Sequence, residues 1–152
     1  MPSKQDSRAA FAPLVSLIAR EWRRSLDRRL QPYGLTEATW LPLVRIARSP
    51  APMRQNELAA SLSLDGSSVV RLLDSLEKAG LVERREDVSD RRAKSLALTR
   101  EGERTVARVE AVSQGLRAVA LADLSDSDLA CAMRALASVR DRLAALPDLL
   151  PA

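Results

Sequence analysis

The sequence predicts a mainly α-helical fold that carries one small β-hairpin. Three observations predict it. Apolar residues recur at helical spacing, as in Val69, Leu72, Leu73 and Leu76. After Gly80 the period changes: Leu81–Arg85 and Lys94–Leu98 are short, and the second alternates like a half-buried strand. Between these two runs lies Glu86 to Ala93, a polar loop ending in Asp90-Arg91-Arg92-Ala93. A short helix, a turn, a second helix and a basic-tipped hairpin, in that order, describe a winged helix-turn-helix.

Each element has its own signal. Residues 1–8 are polar and read as a loose end. A helical pattern runs from about Arg8 to Leu30, with Phe11, Leu14, Val15, Leu17 and Ile18 as its apolar stripe and a basic second half. Gln31-Pro32-Tyr33-Gly34 is the turn after it. Thr36 is placed to cap a second helix reaching about Arg48, with Trp40, Leu41, Val44, Ile46 and Ala47 as candidate core and Pro42 inside it. Ser49-Pro50-Ala51-Pro52 is a rigid connection. Gln55 to Leu62 is a third, short helix that points Leu58 and Leu62 inward, and Ser63-Leu64 is the turn into the next. That next helix begins at a capping Asp65 and ends before Gly80, which supplies a left-handed residue.

Thr99 then caps a long helix whose apolar side is Val106, Val109, Val112, Leu116 and Val119. Ser125-x-x-Asp128 resembles a capping box for a last helix with Leu129, Met133, Leu136, Val139, Leu143 and Leu146, ended by Pro147. The chain reads as a single domain, 1–152, with a winged-helix region at about 36–100. The terminal helices, about 8–31 and 100–147, are more than a reading head needs. Their stripes are expected to be buried in a homodimer.

Composition narrows the function. The chain has 24 basic and 20 acidic residues, a net charge of +4, which permits a nucleic-acid partner. It has no histidine, so histidine-based metal sites and catalytic relays are excluded. The single Cys131 excludes an internal disulfide and is expected to be a buried structural thiol in a reducing compartment. No apolar run approaches ~18 residues, so no membrane span is expected, and the N-terminus lacks a signal peptide's apolar region. A cytoplasmic location follows. No metal spacing, nucleotide loop or nucleophile–base pair occurs, so the reading is of a protein that is not an enzyme and uses no metal or cofactor.

The helix from Asp65 sets Ser67, Ser68, Arg71, Ser75 and Lys78 on the face opposite its apolar stripe. Such a helix fits the major groove, where Arg71 can fork onto a guanine and short serines let the backbone come close. Arginines at a hairpin tip reach the adjacent minor groove, which attracts guanidinium. Double-stranded DNA is therefore the expected partner. The alternative is a winged-helix adaptor that binds protein or RNA and has no ligand response.

The stretches REWRRSLDRRLQPYGLTEATW, VVRLLDSLEKAGLVER and SDRRAKSLALT resemble the MarR family of winged-helix transcriptional regulators, and most of all its SlyA branch. The resemblance covers about Leu14 to Glu110. It implies an obligate dimer on a pseudo-palindromic operator, usually a repressor or anti-silencer, released by a small aromatic or phenolic ligand. Residue by residue, it implies that Arg71 reads a base and that Ser68 contacts a phosphate or base. It further implies that Arg92 enters the minor groove, that Asp90 orients Arg92, and that Arg91 adds a wing contact. Ser67 shares this DNA-facing surface, although the branch often has proline there, and Gly66 stands where a longer polar residue is common. Ser63 replaces the usual turn glycine and Arg54 the usual Ser/Thr cap.

A second constellation lies in the first two helices: Arg20, Trp22, Arg23, Tyr33 and Trp40. Arg20 and Arg23 are three apart and share a helix face. Two guanidiniums beside an indole suit an aromatic carboxylate, charge-assisted bonds holding one end and ring contact the other. Arg20, Trp22, Arg23 and Trp40 are thus the expected effector site. Ala38, where the resembled branch carries a hydroxyl residue, departs from that pattern.

Overall fold

The computed structural model describes residues 4–86 and 94–145. Six helices and a three-stranded sheet follow one another as α1 Lys4–Leu30, α2 Glu37–Ala47, β1 Met53–Arg54, α3 Gln55–Leu62, α4 Gly66–Lys78, β2 Val82–Glu86, β3 Lys94–Leu98, α5 Arg100–Ala120 and α6 Asp126–Ala144. The chain divides into two compact units, one ending at Leu116 and one beginning at Arg117.

In the first unit, α3, the turn at Ser63 and α4 form the helix-turn-helix. Asp65 caps α4 by accepting the Ser67 and Ser68 amide N–H groups, each at 2.9 Å. Val69, Leu73 and Leu76 are buried and Leu72 is half-buried, as a 3.6-residue period requires. The helix ends in a full Schellman turn. Gly80 takes φ 69°, its N–H donates to Glu77 O, and the Leu81 N–H donates to Leu76 O. At the α3–α4 turn Ser63 takes φ 54°, a left-handed conformation that only glycine adopts without cost.

The sheet has the order β1-β3-β2, antiparallel throughout. Arg84 lies opposite Leu96, and Met53 lies opposite Leu96 on the other side. One core joins Leu43 and Ile46 of α2, Leu58 of α3, the inner face of α4, and Leu81, Val82 and Leu96. Another joins Leu26 and Leu30 of α1, Leu35, Trp40 and the α5 residues Val109 and Leu116.

Where β3 passes into α5, the packing leaves no slack. The Thr99 hydroxyl donates to Gly80 O at 2.6 Å and accepts the Gly102 N–H at 3.0 Å, while the Thr99 N–H donates to Leu81 O at 3.1 Å. A Cβ on Gly102 would sit 2.0 Å from the Leu81 carbonyl oxygen. In the second unit, Ser125 caps α6 by accepting the Asp128 N–H.

Several expectations change. α1 starts at Lys4, inside the stretch read as loose, and runs through Pro13. β1 was not expected. Thr36 occupies the cap position of α2, but its hydroxyl meets Thr39 Oγ1 at 3.3 Å and makes no bond to the helix amides. Ala47 is exposed and Pro42 and Leu43 are buried in addition, while Leu41 and Val44 pack half-buried against the second core, because α2 contributes to both cores. On α5 the buried face is Gly102, Thr105, Val109, Ser113 and Leu116, while Val119 is exposed. The Ser125 hydroxyl donates to Asp128 Oδ2 at 2.6 Å, so the expected capping box closes hydroxyl to carboxylate and not carboxylate to amide. Cys131, expected to be buried, is exposed on α6. Leu146 and Pro147 lie outside the described residues.

Gly102→Ala tests the tight junction. Alanine would gain roughly 1 kcal/mol of helix propensity. The clash is with backbone, which yields far less readily than a side-chain end, so a net loss of about 1–3 kcal/mol is expected in urea unfolding.

Candidate nucleic-acid interface

The exposed face of α4 carries Ser67, Val70, Arg71, Asp74, Ser75 and Lys78. Arg71 and Lys78 are seven apart and stand on one side of the helix, two turns from each other. Before Arg71 this face carries short side chains, Ser67 and Val70, so the helix start can approach a groove floor closely. Ser75 donates its hydroxyl back to Arg71 O at 3.0 Å, a local bond that keeps its side chain against the helix.

The serines at the helix start are committed to Asp65. Ser67 Oγ donates to Asp65 Oδ1 and Ser68 Oγ donates to Oδ2, both at 2.6 Å. The Ser67 hydroxyl, then the Ser68 hydroxyl, then the amides hold the Asp65 carboxyl far below the usual carboxylate range. With their protons given to Asp65, Ser67 and Ser68 present oxygen lone pairs outward. They suit a base amino group better than a phosphate, which accepts only.

The wing stem is held against α4 by charge. Arg84 Nη2 donates to Asp74 Oδ1 at 2.9 Å, and Arg84 Nη1 donates to Glu77 Oε2. The Arg84 backbone N–H donates to Glu77 Oε1 at 3.2 Å. Alternation along β2 turns Arg84 to the same side as buried Val82, and turns Glu83 and Arg85 the other way, where they pair with each other. Sequence reading missed Arg84, Asp74 and Glu77. The available signal was the alternation of Val82, Arg84 and Glu86, set against two carboxylates three apart on α4.

The wing residues Asp90, Arg91 and Arg92 lie outside the described residues. Their strands are in place, since Glu86 pairs with Lys94 at the last described register position.

The expected effector residues are brought together only in part. Arg20 is exposed on α1. Arg23 Nε lies 3.4 Å from Glu37 Oε1, an ion pair in which both side chains are about half exposed. Trp22 is half-buried against the second core. Trp40 differs from expectation: it is 4% exposed and its Nε1–H donates to Asp27 Oδ1 at 3.4 Å. Its ring is core, and it turns no open face to solvent, because α1 and α5 close over it. Tyr33 is exposed with the Arg108 guanidinium 5.1 Å from its ring centroid. A cavity of about 290 Å³ lies nearby, between the start of α2 and α4, lined by Leu41, Pro42, Leu62, Leu64 and Leu72, with Glu37 and Ser68 as its polar members. A carboxylate in its wall disfavours an anionic occupant.

Among the described residues there is no group of three or more metal-binding side chains, and no helix is long and apolar enough to cross a membrane.

The profile of the MarR family matches residues 33–93. Among solved structures, the transcriptional regulator PA3341 is 38% identical, with a TM-score of 0.81 over 88% of this chain and 97% of its own. CouR from Rhodococcus jostii, solved with p-coumaroyl-CoA bound, is 29% identical, with a TM-score of 0.69 over 88% of each chain. AbsC, a MarR family transcriptional regulator from Streptomyces coelicolor, is 27% identical, with a TM-score of 0.74 over 94% of this chain and 97% of its own.

The Asp65 cap makes a pH prediction. A carboxyl whose folded pKa lies below its unfolded value of about 3.9 stabilises the fold above that value, and the stabilisation fades as pH falls below it. Asp65→Ala should therefore unfold more readily than the parent at pH 7. The gap between the two urea midpoints should narrow as pH is lowered to about 3.

Proposed function

The chain belongs to the MarR family of transcriptional regulators, and on that premise we propose that it is a dimeric, sequence-specific DNA-binding repressor released by a small aromatic carboxylate or phenolic ligand. The observation that carries the DNA reading is the exposed face of α4. Arg71 and Lys78 stand there beside three short serines, on the second helix of a helix-turn-helix whose hairpin is anchored alongside. In this reading Arg71 meets a guanine edge in the major groove, and Ser67 and Ser68 meet base or sugar edges. Asp90, Arg91 and Arg92 belong to the minor-groove contact of the wing.

Dimerisation is supported by two uncovered apolar stripes. Phe11, Leu14, Val15, Leu17 and Ile18 on α1 are exposed, as are Met133, Leu136, Val139 and Leu143 on α6. No described residue of α6 is buried. Stripes of this extent are stable in water only when covered. A second copy covers them by two-fold symmetry and duplicates the reading head over half-sites about 10 bp apart.

The effector reading rests on Arg20 and Arg23 of α1, with Trp22 as the accessible indole and Trp40 as the packed floor beneath. CouR, bound to a phenolic acyl thioester, supports an aromatic ligand for a relative of this chain. The Arg23–Glu37 pair gives such a ligand a mechanism. A carboxylate that takes Arg23 from Glu37 loosens α1 from α2, and this favours one of two dimer states.

Arg71→Ala should weaken binding to a duplex selected by the parent protein by about 1–3 kcal/mol, relaxing preference at one symmetric pair of positions. Equal losses on selected and random duplexes would reduce Arg71 to a phosphate contact. For the effector, tryptophan emission and DNA binding are followed together while salicylate is titrated to millimolar concentration. Both should change in the parent and neither in Arg20→Ala/Arg23→Ala. A flat response in the parent removes the aromatic carboxylate from the proposal.

A further inference from the structure

We infer that Arg84 is a positioning residue of the reading head: it fixes the wing stem to the reading helix and cancels carboxylate charge beside the DNA face. The inference rests on the DNA reading proposed above.

The geometry is specific. Arg84 sits mid-strand in β2, opposite Leu96, on the side that faces α4. Its guanidinium bridges two carboxylates one turn apart, Asp74 at 2.9 Å and Glu77. Glu77 in turn accepts the Arg84 backbone N–H, so the strand is gripped by main chain and side chain together. The Arg84 side chain is 22% exposed and that of Glu77 30%, which makes their contact less screened than the more exposed ion pairs elsewhere on the surface. A planar fork can span both acids at once, and a lysine ammonium cannot.

Two consequences follow for DNA. Asp74 lies three residues after Arg71 and four before Lys78, within the stripe expected to face the groove. A bare carboxylate at that place repels phosphates, and the Arg84 guanidinium offsets it. In addition, the reading helix and the wing must enter neighbouring grooves simultaneously, so the distance between α4 and the hairpin root has to be set before binding. Arg84 is the side chain that sets it, without itself reaching DNA.

The test compares parent, Arg84→Met, Arg84→Lys and Arg84→Met/Asp74→Asn/Glu77→Gln as full chains. The DNA is a duplex selected by the parent from a random pool, and each binding constant is measured across a salt series. Hydroxyl-radical cleavage reports the minor groove, and dimethyl sulfate reports guanines in the major groove. Arg84→Met should bind about tenfold more weakly, as expected for exposed like charge at an interface. Its salt slope should match the parent, because no phosphate contact is lost. Minor-groove protection should weaken more than major-groove protection. The triple variant should regain affinity while its minor-groove protection stays weak. Arg84→Lys, which keeps the charge and most of the packing, should bind better than Arg84→Met but show the same minor-groove deficit. A salt slope lower by about one would make Arg84 a phosphate contact and overturn the inference. So would parent-like binding by Arg84→Met, or equal loss of protection in both grooves. A parent that selects no duplex overturns the DNA reading itself, and the positioning role with it.

Discussion

The contact on which the rest of the structure depends is the one between Gly102 and the Leu81 carbonyl. Three elements meet there: the end of α4, the start of β2 and the first turn of α5. Gly102 has no Cβ, so α5 can press its backbone onto the Leu81 oxygen. Thr99 then ties the same point from both sides, donating to Gly80 O and accepting from Gly102 N–H. The reading helix therefore cannot shift without moving α5. The far end of that coupling is the second core, where Val109 and Leu116 of α5 pack with Trp40 and α1. A change at the α1–α2 contact thus has a contiguous packed route, through α5, to the end of α4.

Most of the fold was legible because its signals are local. α3 begins and ends where Gln55 and Leu62 suggested, and β3 spans the alternating run Lys94–Leu98. Asp65 and Gly80 bracket α4 as cap and left-handed stop, each announced by a residue type with one strong conformational use. What was not legible is non-local. β1 is two residues long and exists only because β3 offers an unpaired edge beside Met53 and Arg54. Leu43 is buried although the local pattern did not single it out, because α2 contributes to two cores and not to one. The approach of Gly102 to the Leu81 carbonyl is likewise a tertiary contact that no local pattern carries. Cys131 departs from the burial preference of its type, since no described residue of α6 is buried.

The candidate site divides along the same line. Arg71 and the serines follow from helical period alone. Arg84 could not be found that way, since its partners are seven and ten residues distant and their meeting depends on how β2 crosses α4. The burial of Trp40 is non-local in the same way. An indole in a basic helix pair looks like a ligand platform in sequence, yet Asp27, one helix away, satisfies its N–H and lets the ring enter the core. The arginines nearby, Arg20 and Arg23, stay exposed, and Arg23 pairs with Glu37 at a half-exposed place.

The cap of α4 also decides how this helix can meet DNA. A helix start with free amides is a ready anion site, and many proteins set a phosphate there. Here Asp65 accepts the first amides and both serine hydroxyls, and its carboxyl stays ionised well below the ordinary range. The start of the reading helix therefore presents negative charge and oxygen lone pairs, which a phosphate avoids. On the proposed DNA reading, phosphate contact comes from cations further along, such as Lys78, or from other elements. The helix start then suits base edges, where amino groups can donate to it. On that reading, the same carboxylate that stabilises the helix disfavours a phosphate at its N-terminus.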